Sequence, residues 1–209
     1  MKIITANAAI EGFTPNLEEL VEAAGRTCWK SEDKIEFGSA DPFIERIMDF
    51  KHDSVLEHGA ITVRFICDRG VSHELVRHRI ASFSQESTRY CNYGKDKHGN
   101  EVKFIDPRPA FPNMTEEAFN IWETVMLNTE LAYFKMLAAG SAPQEARAIL
   151  PNSLKTEVVM TTNPREWRHI FRLRCDRAAH PQMRELMRPL LINFQFHWPA
   201  IFNNIPFAE

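Results

Sequence analysis

The chain has 209 residues, 44% hydrophobic and 25% charged, with 15 Phe and 4 Trp, which is ample for one large core. A net charge of −3 and a pI near 6.3 argue against general attraction to nucleic acid or anionic membrane, so any affinity for phosphate has to be local. The four cysteines stand far apart with no C-x-x-C pair, and there is neither a signal-peptide run nor a membrane-length apolar stretch; reduced thiols in a cytoplasmic protein are the expectation.

Residues 2–9 (KIITANAA) read as a strand. Asn16 is placed to cap a helix whose Leu17, Leu20, Val21 and Ala24 recur at helical spacing. Asp41-Pro42 opens a second helix with Phe43, Ile44, Ile47 and Met48 on one face. AITVRFIC, 60–67, alternates and is β-branched, so it predicts a strand. A short helix over 71–79 is expected to carry Arg77-His78-Arg79 toward a loop. GKDKHGN, 94–100, is a polar turn before a strand at EVKFI, and Pro107, Pro109 and Pro112 stiffen the connection to the next helix. That helix is the longest, 115–139, capped by Thr115 and stopped by Gly140, with Ala118, Trp122, Val125, Met126, Tyr133, Met136 and Leu137 inside. Ser141-Ala-Pro-Gln144 resembles a capping box, and the short helix it starts ends at Pro151. KTEVVMTT, 155–162, is a strand. Asn163-Pro164-Arg-Glu166 supplies a cap, a first-turn proline and a carboxylate at the positive helix end, and Pro181 opens the last long helix. The sum is an α+β fold: one domain, 1–209, with a mixed or antiparallel sheet packed against several long helices.

Chemistry concentrates in three places. On the helix from Pro164, Trp167, Ile170, Phe171 and Arg174 form one stripe, so a guanidinium finishes a face that is otherwise apolar. A snorkelling arginine explains that, and so does an arginine held at a pocket edge against a planar ligand. Arg165 and His169 form the neighbouring stripe. In RHRIASFSQESTRY, 77–90, forked guanidinium groups and hydroxyls occur together, as bidentate phosphate binding requires. The alternative is a solvated loop whose arginines pair with Glu74 and Glu86. HELVRH, from His73 to His78, has a five-residue spacing rather than the four of H-E-x-x-H, which turns the two imidazoles apart on a helix; no metal is expected.

Arg77-His78-Arg79 followed after seven residues by Ser87 resembles the R-H-R-x7-S signature of flavin-dependent thymidylate synthases. His52-x4-Glu57-His58, Ala146-Arg147-x-x-Leu150-Pro151, and Asn163-x-Arg165 leading to Leu173-Arg174 extend the likeness along nearly the whole chain. The resemblance implies a homotetramer with active sites shared between subunits. It implies methylation of dUMP at C5 to give dTMP, with methylenetetrahydrofolate as carbon donor and tetrahydrofolate as product. FAD, reduced by NADPH, is the implied hydride source.

Carried over position by position, the resemblance assigns FAD contacts to Arg77, His78, Arg79 and Ile80, with Ser54 and Glu57 before them and Ser84 and Gln85 after. Asn163, Arg165, His169 and Leu173 would hold another part of the flavin. The dUMP phosphate falls to Ser87, Thr88 and Arg89 with Arg147, and further nucleotide contacts to Glu74, Leu75, Val76, Arg77, Gln85 and Glu86. Arg174 would lie against the pyrimidine as the catalytic cation, and His52 would stand near flavin and folate as the second catalytic residue. Cys175, adjacent to Arg174, is the tempting nucleophile, but its side chain points about 100° away on the helix.

The chain departs from the family pattern where Ser84-Gln85 replaces Asn-Glu, Thr88 replaces Gly, His169 replaces Asn, and His180-Pro181 replaces Ala-Gln. Three other readings compete: a nucleic-acid module using the Arg-rich 165–188 segment, a metal hydrolase using His52, Glu57, His58 and His73, and, nearest in chemistry, a flavoenzyme of another reaction type.

Overall fold

The structure is a computed structural model that describes residues 1–95 and 99–206. In chain order the elements are β1 (Lys2–Ile4), β2 (Asn7–Phe13), α1 (Leu17–Thr27), α2 (Ala40–Asp49), β3 (Ile61–Asp68), α3 (Arg69–Leu75) and β4 (Ser82–Gln85). Next come β5 (Lys103–Ile105), α4 (Glu116–Ala138), α5 (Pro143–Ala146), β6 (Lys155–Thr162), α6 (Pro164–Arg174), α7 (Pro181–His197) and α8 (Pro199–Phe202). β1 and β5 pair in parallel, with Lys2 opposite Lys103, while the larger, antiparallel sheet has the order β2-β3-β6-β4. Among the described residues no helix is long and apolar enough to cross a membrane.

The chain forms two compact units. One comprises Met1–Asn7, Phe65–Arg77 and Ser84–Val158; the other comprises Ala8–Arg64, His78–Phe83 and Val159–Glu209. In the first, Val102, Phe104, Met126, Tyr133 and Leu154 build the core. Thr115 caps α4 by accepting from the Ala118 N–H at 3.1 Å, as expected, and Gly140 ends that segment at φ +95°, where a side chain would be strained. The buried stripe of α4 is Phe119, Met126, Glu130 and Tyr133, so Ala118 and Val125 face outward, against expectation. Glu130 takes an inward place because its carboxylate accepts the Val102 N–H at 2.8 Å.

In the second unit α6 packs on α7 through Trp167, Phe171 and Phe194, whose ring centroids lie 5.0–5.7 Å apart. Burying each such ring stabilises the fold by roughly 1.5–3 kcal/mol. The Trp167 indole N–H donates to the Ile61 carbonyl at 3.1 Å, fixing the rotation of α6. Beside it the buried Arg168 donates to Asn204 Oδ1 at 2.8 Å and to the Ile201 carbonyl. Gly25 lets α1 approach α2: a Cβ there would meet the Phe43 ring at 2.6 Å.

Several boundaries differ from the sequence reading. The first strand is two, β1 and β2. Asn16 occupies the cap position of α1 in a left-handed conformation (φ 50°) without a side-chain cap bond. α2 starts from Ser39 rather than at Asp41. α5 is capped at Ala142, whose N–H donates to Glu145 at 2.9 Å, so the carboxylate half of a capping box lies one residue later than expected. α3 ends at Leu75, before the Arg-His-Arg triplet. Of the 94–100 turn, residues 96–98 lie outside the described residues.

Candidate active site

The end of α3 decides how the triplet is displayed. Beyond Val76 and Arg77 the chain is no longer helical, and side chains alternate: Arg77 exposed, His78 buried at 6%, Arg79 exposed. Among the described residues neither guanidinium meets a carboxylate. The expected alternative pairing of these arginines with Glu86 does not occur, since Glu86 accepts instead from Lys155 at 2.9 Å and from the Tyr93 hydroxyl at 3.1 Å.

In the second unit His78 meets α6. Arg174 donates from Nε to His78 Nε2 at 3.0 Å. The opposite ring nitrogen, Nδ1, lies 3.5 Å from Glu166 Oε1, and the His169 ring stands edge-on at 6.1 Å. Burial first, then the Arg174 guanidinium, then His169, hold His78 down to about 4, so the imidazole is neutral at physiological pH. Burial pushes the Glu166 carboxyl up, and His169 opposes that. Asn163 sets this geometry: its Oδ1 accepts the Glu166 N–H at 2.9 Å and starts the helix that carries Glu166, His169 and Arg174. One donor atom each from His78, Glu166 and His169 lie within 4.8 Å of one another. The Arg174 charge on the same imidazole repels a cation there.

Arg165, exposed, pairs with Glu57 at the end of the 3-10 turn Asp53–Glu57, which also carries exposed Ser54. Ile80 is 67% exposed and its carbonyl accepts from the Thr162 hydroxyl, while Leu173 is 49% exposed. His52 stacks on Trp29 at 5.7 Å and 22°. Both line an open cleft of about 1280 Å³ with Arg26, Arg46 and Phe50.

The first unit gathers the residues expected at a nucleotide. Arg147 donates to the Thr88 hydroxyl at 3.2 Å, and the Arg89 N–H to the Ser87 hydroxyl at 3.3 Å. Thr88 is absent from the described residues with positive φ, as expected for a non-glycine. Gln85 donates to Ser72 at 2.9 Å and Thr156 at 3.2 Å, so its amide is held in place while the neighbouring Ser84 is exposed. Glu74 is half-buried and Val76 39% exposed. Leu75 is fully buried, so only its backbone is available to a ligand.

Cys175 is 1% exposed and burial pushes its thiol up to about 11, which disarms it as a nucleophile. His180, the other departure, caps α7 by accepting the Gln182 N–H at Nδ1, 3.3 Å away. The residue that sequence reasoning misses is Glu166. Its pattern shows only a complement to the helix dipole, and its partner is distant in sequence; the available signal is its position one turn before His169.

Residues 10–200 match the family described as thymidylate synthase complementing protein. The chain is 34% identical over 203 residues to the flavin-dependent thymidylate synthase of Geobacter sulfurreducens, spanning 94% of this chain and 85% of that one. It is 33% identical over 173 residues to the flavin-dependent thymidylate synthase of Pyrococcus furiosus, spanning 82% and 69%. Among solved structures, the UMP/dUMP methylase PolB of Streptomyces cacaoi bound with 5-Br dUMP superposes with a TM-score of 0.82 over 97% of this chain and 96% of that one. At 21% identity this is a likeness of fold.

Proposed function

The chain belongs to the flavin-dependent thymidylate synthase family and is an enzyme of that kind; from that premise we propose that residues 1–209, acting as one domain, convert dUMP to dTMP. Methylenetetrahydrofolate donates the carbon and leaves as tetrahydrofolate, and NADPH reduces the FAD. The functional assembly is a cytoplasmic homotetramer with shared sites.

The observation that carries this reading is the arrangement around His78. A buried neutral imidazole, gripped by Arg174, stands between two exposed arginines that have no carboxylate partner among the described residues. A surface loop that merely solvates charge would not bury the middle of the triplet. The donor set fits a dinucleotide. Arg77 and Arg79 suit its diphosphate, and Asn163, Arg165 and His169 present an amide, a guanidinium and an imidazole to its polar ring edges. Ser54, Glu57, Ile80, Ser84, Gln85 and Leu173 complete that contact set. When bound, reduced flavin supplies the hydride.

The remaining roles belong to this chain's own side chains. Ser87, Thr88, Arg89 and Arg147 bind the dUMP phosphate, and Glu74, Leu75 (through its backbone), Val76, Gln85 and Glu86 set the nucleotide's position. Arg174 faces the pyrimidine, favours loss of the N3 proton and so raises electron density at C5. A neighbouring cation shifts such a proton by about 1–3 pK units, roughly 1.4–4 kcal/mol. His52, already stacked on Trp29 beside the open cleft, offers a flat surface for the folate pterin. The test is direct: purified protein carries a flavin absorption spectrum, and that flavin is reoxidised by dUMP plus methylenetetrahydrofolate with dTMP formed. Flavin reoxidation without dTMP would assign the chain to another flavoenzyme reaction.

A further inference from the structure

We infer that Glu166 is a positioning residue: it fixes the proton of His78 on Nδ1, so that Nε2 is left bare to accept from Arg174 and hold that guanidinium in its working orientation. The inference rests on the proposed role of Arg174 at the pyrimidine.

Arginine has only donors, so the Arg174 Nε bond of 3.0 Å requires a lone pair on His78 Nε2. A neutral imidazole carries one N–H, which is thereby assigned to Nδ1. The group that faces Nδ1 is Glu166 Oε1 at 3.5 Å, beyond ideal hydrogen-bond length but of the right kind, since a carboxyl oxygen there stabilises the Nδ1–H form. His78 and Glu166 are both buried, so water does not substitute readily as the acceptor. Nor is Glu166 placed by accident. Asn163 accepts its N–H at 2.9 Å, and Glu166 and Arg174 stand about 12 Å apart along α6, so their side chains converge on opposite nitrogens of one ring. His169, at 6.1 Å edge-on, also faces His78. An ion pair for its own sake would not need the arginine to point Nε at the imidazole. The arrangement instead resembles in logic the acid that sets a histidine tautomer in hydrolytic triads, here with a guanidinium rather than a hydroxyl at the far end.

The test combines a measurement on the unaltered protein with two variants. In 15N-histidine-labelled protein without added flavin, the His78 signals, identified by their loss in His78→Asn, are expected to show Nδ1 protonated and Nε2 bare. Glu166→Leu fills the space without an acceptor, whereas Glu166→Gln keeps one. Loss of the acceptor that faces Nδ1 is expected to lower kcat for dTMP formation per bound flavin about 2- to 12-fold in Glu166→Leu, the range for an ordinary hydrogen-bond partner. The dUMP KM should change little, and Glu166→Gln should recover most of the rate. A proton found on Nε2 of the parent protein overturns the inference whether or not either variant folds. So does a Glu166→Leu enzyme that turns over like its parent, because packing alone would then suffice. Full turnover in Arg174→Ala would remove the role of Arg174 and this inference with it. That failure is recognisable because the parent's tautomer would still read Nδ1–H.

Discussion

Replacing Arg174 with Ala removes the α6 cation that touches His78, and effects are expected on both sides of that contact. On the ligand side, losing the guanidinium proposed to stand beside the uracil is expected to give up about 1.4–4 kcal/mol of charge stabilisation, so dTMP formation per bound flavin should fall about 10- to 1000-fold. On the protein side, His78 is held at about 4 by burial, Arg174 and His169, in that order. Without Arg174 the imidazole should titrate above that value, yet below its ordinary 6.5 because burial remains. Arg174→Lys keeps the charge but cannot grip the imidazole sideways through an Nε–H while facing a ligand, and should fall between the two. Single-turnover formation of dTMP from labelled dUMP, normalised to flavin absorbance, measures the first effect, and histidine NMR titration measures the second. Near-normal turnover in Arg174→Ala would refute the electrostatic account, and an unmoved His78 titration would refute the contact.

The same structure sets four other outcomes. Ser87→Ala should raise the dUMP requirement several-fold, the loss of about one hydrogen bond, with kcat preserved at saturation; complete inactivity there would make the hydroxyl a nucleophile. Cys175→Ala should leave the chemistry intact, since that thiol is buried and pushed up to about 11, and abolished turnover in a folded variant would show otherwise. Glu18 is pushed up to about 7 by burial, Asp41 and Glu19. Folded chains therefore keep its proton between 4.5 and about 7 while unfolded chains release it, and stability falls as pH rises through that window. Glu18→Gln should accordingly raise Tm at about pH 8 and leave it unchanged at about pH 4; equal Tm differences at both pH values would contradict this. Gly25→Ala should cost about 1–3 kcal/mol in denaturant unfolding, because its Cβ has to displace the Phe43 ring from 2.6 Å, and a neutral result would mean that α2 yields.

The features legible in the sequence are local ones. Asn163-Pro164 marks the start of α6 because cap, proline and first-turn carboxylate act within four residues, and Trp167, Ile170 and Phe171 are all fully buried as their spacing requires. The resemblance identifies the family for a similar reason, since its signature is a short run read in order. The features that stay illegible depend on partners far along the chain. α3 stops at Leu75 so that His78 turns inward to reach Arg174, 96 residues away. β4 has no alternating apolar pattern of its own, and its Gln85 is held by Ser72 and Thr156. Glu130 breaks the apolar stripe of α4 for the sake of one backbone N–H at Val102. Propensity carries no information about such long-range polar satisfaction.

The lodging of Arg168 has its own consequence. Burial first, then the Arg172 charge, lower its pKa to about 10, while acceptors at Ile201 and Asn204 hold the guanidinium in place. The helix that carries Arg174 is therefore moored by the 201–204 segment. Trimming the chain ahead of residue 201, or fusing a bulky partner there, would unfasten that mooring and leave a buried cation without these acceptors. The seating of α6 thus depends on how residues 201–204 are handled.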